Sequence, residues 1–299
     1  MRYGLPYKGS KNAIADWIVN TLPKAEIFVD LFCGGGAVTH CAMLKGKYGR
    51  FIMNDIDGRL PVLFRDCAHG LYTTQTHPEW ICREEFNRRK AEDAYIALLW
   101  SFSNNGKDYL YGRDIEDFKH AYHILLFEGN PEPIKCFGYE IKLAHDADIQ
   151  ERYLKYKRQI RDQTKNHRLG KHPFDLDSAT RQIEVERLQS LQSLQSHYLD
   201  VQIPKGALIY CDIPYFGTNC GKYHGFNHAE FYEWAERQDN IFISEYWMPE
   251  QFICIASREK SVLSSNKGEC AKATERIFTN RRTYEHYGGV FCENQLTLF

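Results

Sequence analysis

Glu26-Ile-Phe-Val-Asp-Leu-Phe-Cys-Gly-Gly-Gly36 is a short apolar run that breaks into three consecutive glycines. Helical spacing of apolar residues resumes over Ala37–Leu44, so the segment predicts a strand, a glycine turn and a helix. Such a turn lets backbone N–H groups approach a ligand closely, as in nucleotide-binding α/β folds. Taken alone, the segment is equally compatible with a plain glycine turn in which Asp30 caps the helix.

A second strand with a carboxylate at its end follows the glycine turn. Arg50-Phe-Ile-Met-Asn-Asp55 is apolar in its middle and acidic at its last residue. About twenty residues after such glycines, a carboxylate can hydrogen-bond ribose hydroxyls. Gly34-Gly-Gly-Ala37 lacks the third glycine of the G-x-G-x-x-G motif, which disfavours NAD or FAD as the ligand.

Another α/β block lies towards the C-terminal end of the sequence. Gly206–Asp212 and Asn240–Ser244 predict strands on either side of a helix over His228–Arg237. Phe252–Ala256 and Lys260–Ser264 predict two late strands that could pair antiparallel.

The residues between the two blocks predict mainly helices, over Arg83–Lys90, Ala91–Phe102, Ile115–Phe127 and Ile149–Gln163. Leu188-Gln-Ser-Leu-Gln-Ser-Leu-Gln-Ser196 repeats a tripeptide whose leucines predict one apolar face of a further helix. Helical residues inserted between two α/β blocks indicate one open sheet with a large insertion.

Composition and charge are those of a globular protein that is not uniformly basic. Of 299 residues, 43% are hydrophobic and 26% are charged, which argues against extensive disorder. The 38 Lys and Arg balance 39 Asp and Glu, which excludes a histone-like coat for nucleic acid but leaves room for a local basic face. No apolar stretch approaches the ~20 residues of a membrane helix and no signal peptide is evident, so a cytoplasmic protein that binds no membrane is expected.

The sequence predicts no bound metal. None of the ten cysteines are spaced as C-x₂₋₄-C, and such scattered cysteines are expected to be reduced thiols. Glu116, His120 and His123 have helical ligand spacing, but no further group of ligands accompanies them, so they are expected to form a surface face.

A second candidate site directly follows the predicted strand that ends at Asp212. Asp212-Ile213-Pro214-Tyr215 combines a carboxylate, a backbone carbonyl, a proline and an aromatic ring in one short turn. These groups suit a flat ring with an exocyclic amino group, because Asp212 and the Ile213 carbonyl can accept its protons while Tyr215 stacks on its face. An ordinary Asp/Pro turn with a buried tyrosine has the same pattern.

Together these motifs resemble a known family. Asp-x-Phe-x-Gly-x-Gly at Asp30–Gly36, followed far downstream by Asp-x-Pro-Tyr at Asp212–Tyr215, resembles the Dam-like (D12 class) adenine-N6 DNA methyltransferases. Pro6–Lys11 is similar to the family's N-terminal lysine motif, and the motif order matches the family's permuted arrangement. Further similarity is found in Arg83–Asn87, Ser101–Gly106, Ser261–Gly268 and Ala273–Phe278.

The resemblance implies an α/β fold with the Rossmann-like sheet of S-adenosylmethionine-dependent methyltransferases. A mainly helical DNA-recognition subdomain is then inserted into this fold. Residues 1–58 and 196–299 are then the catalytic methyltransferase domain, and residues 59–195 the inserted target-recognition region. The implied reaction moves a methyl group from S-adenosylmethionine to the amino group of an adenine flipped out of a specific site in double-stranded DNA.

The resemblance also implies roles for individual residues. The residues implied to bind the cofactor are Tyr7 and Lys11 (methionine end), Asp30, Phe32, Gly34 and Gly36 (glycine loop), Asp55 (ribose) and Asp212. The residues implied to hold the flipped base and carry catalysis are Asp212, Ile213, Pro214 and Tyr215.

Two alternatives remain open on the sequence alone. The family usually has proline where this chain has Ile213, which supports a catalytically silent DNA-binding protein with the same fold, although any residue supplies the carbonyl. Asp30–Gly36 is also close to the cofactor motif of cytosine-C5 methyltransferases, but the Pro-Cys dipeptide that carries their nucleophile is missing from this sequence. Methyl transfer to cytosine N4 uses nearly the same amino-group chemistry as transfer to adenine. Position 212 is aspartate rather than serine, which favours adenine as the substrate base.

Glu151–Asp175 is the best candidate for contacts with DNA phosphates. It has eight Lys or Arg against three Asp or Glu, with Tyr153, Tyr156 and His167 interleaved. A solvated helix face is the alternative. The candidate DNA-contacting residues are Lys155, Lys157, Arg158 and Arg161.

Overall fold

A computed structural model describes residues 3–72, 79–144, 146–163, 188–217, 225–263 and 270–289. The chain divides into two compact units. The first comprises Met1–Leu5, Ser10–Ala68 and Gln182–Phe299, and the second Pro6–Gly9 and His69–Arg181. The predicted roles of the two parts, catalysis and target recognition, stay predictions.

The first unit is built on a seven-stranded mixed sheet of order β3-β2-β1-β4-β5-β7-β6. Its strands are β1 Ile27–Asp30, β2 Arg50–Asp55, β3 Leu191–Gln195, β4 Leu208–Asp212, β5 Ile241–Glu245, β6 Phe252–Leu263 and β7 Cys270–Asn280. Strands β1 to β5 pair in parallel, whereas β7 pairs antiparallel with β5 and β6. The predicted α/β architecture is confirmed.

Apart from the leucine repeat, a helix occurs wherever the sequence predicts one, and further helices occur elsewhere. Those of the first unit are α1 Ala15–Thr21, α2 Ala37–Lys45, α3 Arg59–Ala68, α9 His228–Glu236 and α10 Arg281–His286. Those of the second unit are α4 Arg83–Arg89, α5 Ala94–Leu99, α6 Glu116–Glu128, α7 Glu132–Lys135 and α8 Ile149–Gln163. The helix α3 and the strand β3 belong to the first unit, although the sequence places both within the 59–195 insertion.

The central strands are buried on both faces, so their sequences are continuous apolar runs rather than alternating ones. Val29, Ile209 and Ile243 lie on three adjacent strands and are at most 1% exposed. They share one core cluster with Phe231 of α9 and Phe252 of β6. This core holds the ends of the strands in fixed positions.

The strand order reverses between β1 and β4. The chain passes from β1 through α2 to β2 on one side, and from β4 through α9 to β5 on the other. In open α/β sheets such a reversal opens a ligand-binding crevice at the carboxyl ends of the strands. Asp30 and Asp212 are the last residues of the two strands that flank this point.

The leucine repeat forms a strand, so the predicted helix is wrong there. Leu191–Gln195 is β3, which pairs in parallel with β2. The exposed edge of β2 supplies backbone hydrogen bonds, and this tertiary context overrides the local helical spacing.

The two predicted late strands are one strand. Phe252–Ala256 and Lys260–Leu263 both lie in β6, which is irregular between Cys254 and Ala256 and pairs antiparallel with β7. The resemblance segment Ser261–Gly268 lies largely outside the described residues.

The second unit is mainly helical, as predicted. The faces of α6 and α8 that meet are mainly apolar, and their buried residues include Tyr122, Leu125, Tyr156 and Ile160. The predicted surface face on α6 is wrong in part, because His123 is buried and its ring packs on Phe127.

Neither a metal cluster nor a membrane span was found among the residues with described positions. No group of three or more His, Cys, Asp or Glu in those ranges could hold a metal ion. Within the same ranges, no helix has the length and apolar character needed to cross a membrane.

Candidate active site

Four neighbouring parallel strands of the first unit end in a carboxylate at the same edge of the sheet. In strand order these residues are Asp55 of β2, Asp30 of β1, Asp212 of β4 and Glu245 of β5. Glu275 of β7 stands beside them, since its neighbour Arg276 pairs with Glu245. We name these five carboxylates, together with Lys11, the carboxyl-edge site.

Lys11 is the buried cation of the carboxyl-edge site. Its Nζ lies 2.6 Å from Asp212 Oδ1 and 3.6 Å from Glu275 Oε1, and its side chain is 8% exposed. Burial by itself lowers the pKa of Lys11, but the two carboxylates more than offset burial and raise the pKa above its usual value. Lys11 therefore stays charged at neutral pH and balances the charge of Asp212.

Tyr215 is held against this ion pair. Its hydroxyl donates a hydrogen bond to Glu275, and its ring centroid lies 4.5 Å from Lys11 Nζ. The ring of Tyr246 meets the Tyr215 ring nearly edge-on, with 4.5 Å between centroids. The structure thus brings the predicted residues Lys11, Asp212 and Tyr215 together, although about 200 residues separate Lys11 from the other two.

The side chain of Ile213 belongs to the core. It is 2% exposed and joins the cluster that contains Phe231 and Phe252. The next residue, Pro214, is held through its carbonyl oxygen, which accepts a hydrogen bond of 2.7 Å from His228 Nε2. Apolar packing thus anchors the turn at the position where the resembling family has proline.

Asp30 is buried, and only one of its two carboxylate oxygens accepts a hydrogen bond from a described residue. Its Oδ2 accepts a hydrogen bond of 2.7 Å from the Thr39 hydroxyl, whereas its Oδ1 has no hydrogen-bond partner within the described ranges. Burial, helped by the charges of Asp212 and Asp55 and opposed by Thr39, raises the pKa of Asp30 to about 7. A ligand that donates a hydrogen bond to Oδ1 would remove an unfavourable buried acceptor.

Asp55 organises the glycine turn. Its Oδ2 accepts the Gly34 N–H at 2.9 Å, and its Oδ1 accepts the Asp57 N–H at 2.9 Å. Gly36 has φ +71°, and a Cβ there would lie 2.7 Å from the Met53 side chain. Glycine at this position therefore follows from both the backbone conformation and the close packing.

Phe32 and Tyr7 were predicted to bind the cofactor but are not among the residues that define the carboxyl-edge site. Phe32 is half-buried, and its ring packs against those of Tyr198, Phe226 and Phe231. Tyr7 belongs to the second unit. Contacts of Tyr7 and Phe32 with a cofactor stay predictions.

The predicted DNA-contacting residues lie on α8 in the second unit. Lys155 pairs with Glu151 at 2.7 Å, and the guanidinium groups of Arg158 and Arg161 lie 3.8 and 3.6 Å from Asp162. These exposed pairs are weak and leave the side chains available to phosphate. Residues 164–175 of the basic stretch, including His167, lie outside the described residues.

Glu245 and Glu275 are two site residues that were not predicted from the sequence. Glu245 accepts the N–H groups of Phe216 at 2.9 Å and Tyr246 at 2.7 Å, and burial is the main cause that raises its pKa to about 7. The rule that identified Asp55, a carboxylate at a strand end, also applies to Glu245. Glu275 lies inside an antiparallel strand, and the resemblance of Ala273–Phe278 to the family gives it no role of its own.

The N-terminal part of the chain is similar to a known protein family. Residues 7–129 match a sequence model of the D12 class N6 adenine-specific DNA methyltransferase family. No curated protein matches the chain significantly. The matched residues include the lysine motif, the glycine turn and β2, so the resemblance seen in the sequence is confirmed.

The name of the D12 family states the reaction that its members catalyse. Its members are enzymes that methylate adenine in DNA, and S-adenosylmethionine is the general methyl donor of methyltransferases. Over residues 7–129 the chain is similar to the D12 class N6 adenine-specific DNA methyltransferase family.

Proposed function

We propose that the carboxyl-edge site transfers a methyl group directly from S-adenosylmethionine to the amino nitrogen of an adenine flipped out of double-stranded DNA. The observation that carries this proposal is the position of Asp212. It ends β4 at the reversal of strand order, and its carboxylate is held by the buried ammonium of Lys11 at 2.6 Å. An adenine beside Asp212 would thus lie at the crevice where α/β sheets bind ligands.

The residues around the glycine turn fit S-adenosylmethionine, which supplies an electrophilic methyl group on a sulfonium. Asp30 offers a buried carboxylate oxygen that suits a cationic amino group. Asp55 ends β2 beside the glycine turn, where a carboxylate can accept hydrogen bonds from ribose hydroxyls. Gly34 and Gly36, both with positive φ, leave room for the close approach of a ligand.

Asp212 and the Ile213 carbonyl act on the nucleophile. The amino nitrogen of adenine is a poor nucleophile because its lone pair is shared with the ring. Hydrogen bonds from its two protons to Asp212 and to the Ile213 carbonyl draw that lone pair out of conjugation and direct it at the methyl group. The ammonium of Lys11, 2.6 Å from Asp212 Oδ1, holds this acceptor in position.

The transfer itself is a single displacement. The new N–C bond forms as the C–S bond breaks, and the sulfur keeps the electron pair. The nitrogen becomes acidic only after the attack, and it then loses one proton to solvent. Most of the rate is expected from holding nitrogen, methyl carbon and sulfur in line.

Extrusion of the base must be offset by contacts elsewhere. Flipping an adenine costs a few kcal/mol, which stacking on Tyr215 and phosphate contacts of α8 are expected to offset. Phe216 and Trp247 are 61% and 59% exposed, and their ring centroids are 6.3 Å apart. Exposed rings directly after Tyr215 and after β5 are suited to stack on an unpaired base.

Mass spectrometry of nucleosides tests this function. We expect N6-methyladenine after the protein is incubated with unmethylated duplex DNA of mixed sequence and labelled S-adenosylmethionine, followed by digestion. Asp212→Ala should lower transfer by about 10²–10⁴-fold because it removes the acceptor that orients the nucleophile. Lys135→Met, on the exposed face of α7, serves as the control that keeps activity.

Two results would contradict the proposal. Methylated cytosine in the digest would show that the substrate base is wrong. Binding of S-adenosylmethionine and DNA by the wild type without any transfer would favour the catalytically silent DNA-binding protein.

A further inference from the structure

The second unit buries a lysine that has no carboxylate partner. Lys119 of α6 is 3% exposed. Among the described residues, neither an ion pair nor a hydrogen bond engages its ammonium, which lies 5.5 Å from the centroid of the Tyr111 ring. Glu116, one turn earlier, is held by Arg83 at 2.8 Å. Burial of an unpaired ammonium is unfavourable, so packing alone does not explain its presence.

A second lysine faces the same place from α8. The Tyr122 hydroxyl of α6 donates a hydrogen bond of 3.1 Å to the Tyr153 carbonyl of α8, which fixes how these two helices meet. Lys119 precedes Tyr122 by three residues and Lys157 follows Tyr153 by four, so both lysines lie on the meeting faces. Burial and, after it, the charge of Lys157 lower the pKa of Lys119 to about 8. The two ammonium groups therefore repel each other.

Two phenols complete the group of donors. The Tyr111 hydroxyl is buried and has no hydrogen-bond partner in the described ranges. Burial, followed by the nearby Tyr109 and Tyr153, raises the pKa of Tyr111 well above its usual value, so the hydroxyl remains a neutral donor. The Tyr153 hydroxyl lies 3.4 Å from Lys157 Nζ.

We propose that Lys119, Lys157, Tyr111 and Tyr153 form a phosphate-binding pocket in the second unit, which we name the lysine pocket. A phosphate group accepts charge-assisted hydrogen bonds from ammonium groups and hydrogen bonds from phenols, and its charge relieves the repulsion between the lysines. The phosphate belongs either to a nucleic-acid backbone or to a free phosphate, and the same donors serve both. The tests of the lysine pocket measure binding of phosphate and of DNA rather than methyl transfer, so their failure is distinguishable from failure of the proposed function.

Thermal unfolding in phosphate tests the lysine pocket. Sodium phosphate is compared with sodium chloride at equal ionic strength and pH 7, for the wild type, Lys119→Met and Lys135→Met. Methionine keeps nearly the length of the lysine side chain without its charge, so Lys119→Met should fold and have a higher Tm in chloride. Lys135→Met removes an exposed lysine of the same unit and serves as the matched control.

The difference between variants isolates the pocket. Phosphate also stabilises proteins generally by exclusion from their surface, and this effect is common to all three proteins. Beyond it, a phosphate concentration about tenfold above Kd should raise the Tm of the wild type and of Lys135→Met by about 2–4 °C. Lys119→Met should lose this additional rise. An equal response of all three proteins would overturn the proposal.

A second measurement distinguishes the two sources of phosphate. Binding of a duplex of mixed sequence is followed by fluorescence anisotropy at several salt concentrations. If the pocket holds a backbone phosphate, Lys119→Met should reduce the slope of log K against log salt by about one. If the Tm effect is lost and the slope is unchanged, the pocket takes a free phosphate.

Discussion

Among the residues whose positions are described, each unit of the chain buries one lysine, and the two lysines differ in what surrounds them. Lys11 of the first unit lies 2.6 Å from Asp212, and its pKa is raised. Lys119 of the second unit has aromatic rings and another lysine around it, and its pKa is lowered to about 8. Burial acts in the same direction on both residues, so the neighbouring charges determine the sign of the shift.

The comparison separates two uses of a buried cation. Lys11 balances carboxylates that the proposed reaction needs in their charged form. Lys119 has no such partner in the described residues, and the ligand that would balance it comes from outside the chain.

The largest effect is expected when the paired lysine is removed. Lys11→Met leaves Asp212 and Glu275 without their cation, and removal of one partner from a buried pair costs about 3–5 kcal/mol. The free energy of unfolding, measured with a chemical denaturant at pH 7, should fall by this amount. A change below about 1 kcal/mol would show that the ion pair contributes little.

The lowered pKa of Lys119 should make the free energy of unfolding depend on pH. Its pKa is about 8 in the folded protein and 10.5 when unperturbed, so between these values the unfolded chain binds a proton that the native protein does not. Stability must therefore rise with pH in this window, by about 3 kcal/mol over the full range.

Denaturant unfolding from pH 7 to pH 10 measures this effect as the difference between the wild type and Lys119→Met. Other groups titrate equally in both proteins, so the wild type should gain stability relative to the variant as pH rises. Lys11, whose pKa is raised, should contribute constant stability over the same window and lose it only above the unperturbed value. A constant difference between wild type and Lys119→Met would contradict the lowered pKa.

The smallest effect concerns the weaker partner of Lys11. Glu275→Gln removes the charge at 3.6 Å but keeps an oxygen that accepts the Tyr215 hydroxyl. We expect the free energy of unfolding to fall by about 1 kcal/mol, because the closer pair with Asp212 remains. A loss as large as that of Lys11→Met would show that Glu275, rather than Asp212, is the dominant partner.

Much of the candidate site was predictable, because it lies at strand ends. Asp30, Asp55 and Asp212 each follow an apolar run of the length of a buried strand, and parallel strands bring such ends to one edge. Tyr215 lies three residues past Asp212 and could be placed with it. The helices in the middle of the chain were also predictable from a local pattern, because their apolar residues recur with the helical period.

The remaining features depend on contacts between distant residues. Leu191–Gln195 forms a strand because β2 offers it an edge. Glu275 joins the site through the antiparallel pairing of β7.

Local sequence thus specified the elements and the residues at their ends, because side-chain period and glycine conformation are properties of short segments. Lys11 and Lys119 have the same chemistry in the sequence, and nothing near either one indicates its opposite pKa shift. That difference arises only when the folded chain brings carboxylates to the first and a second lysine to the other, since charge interactions in a buried site depend on distances that folding creates.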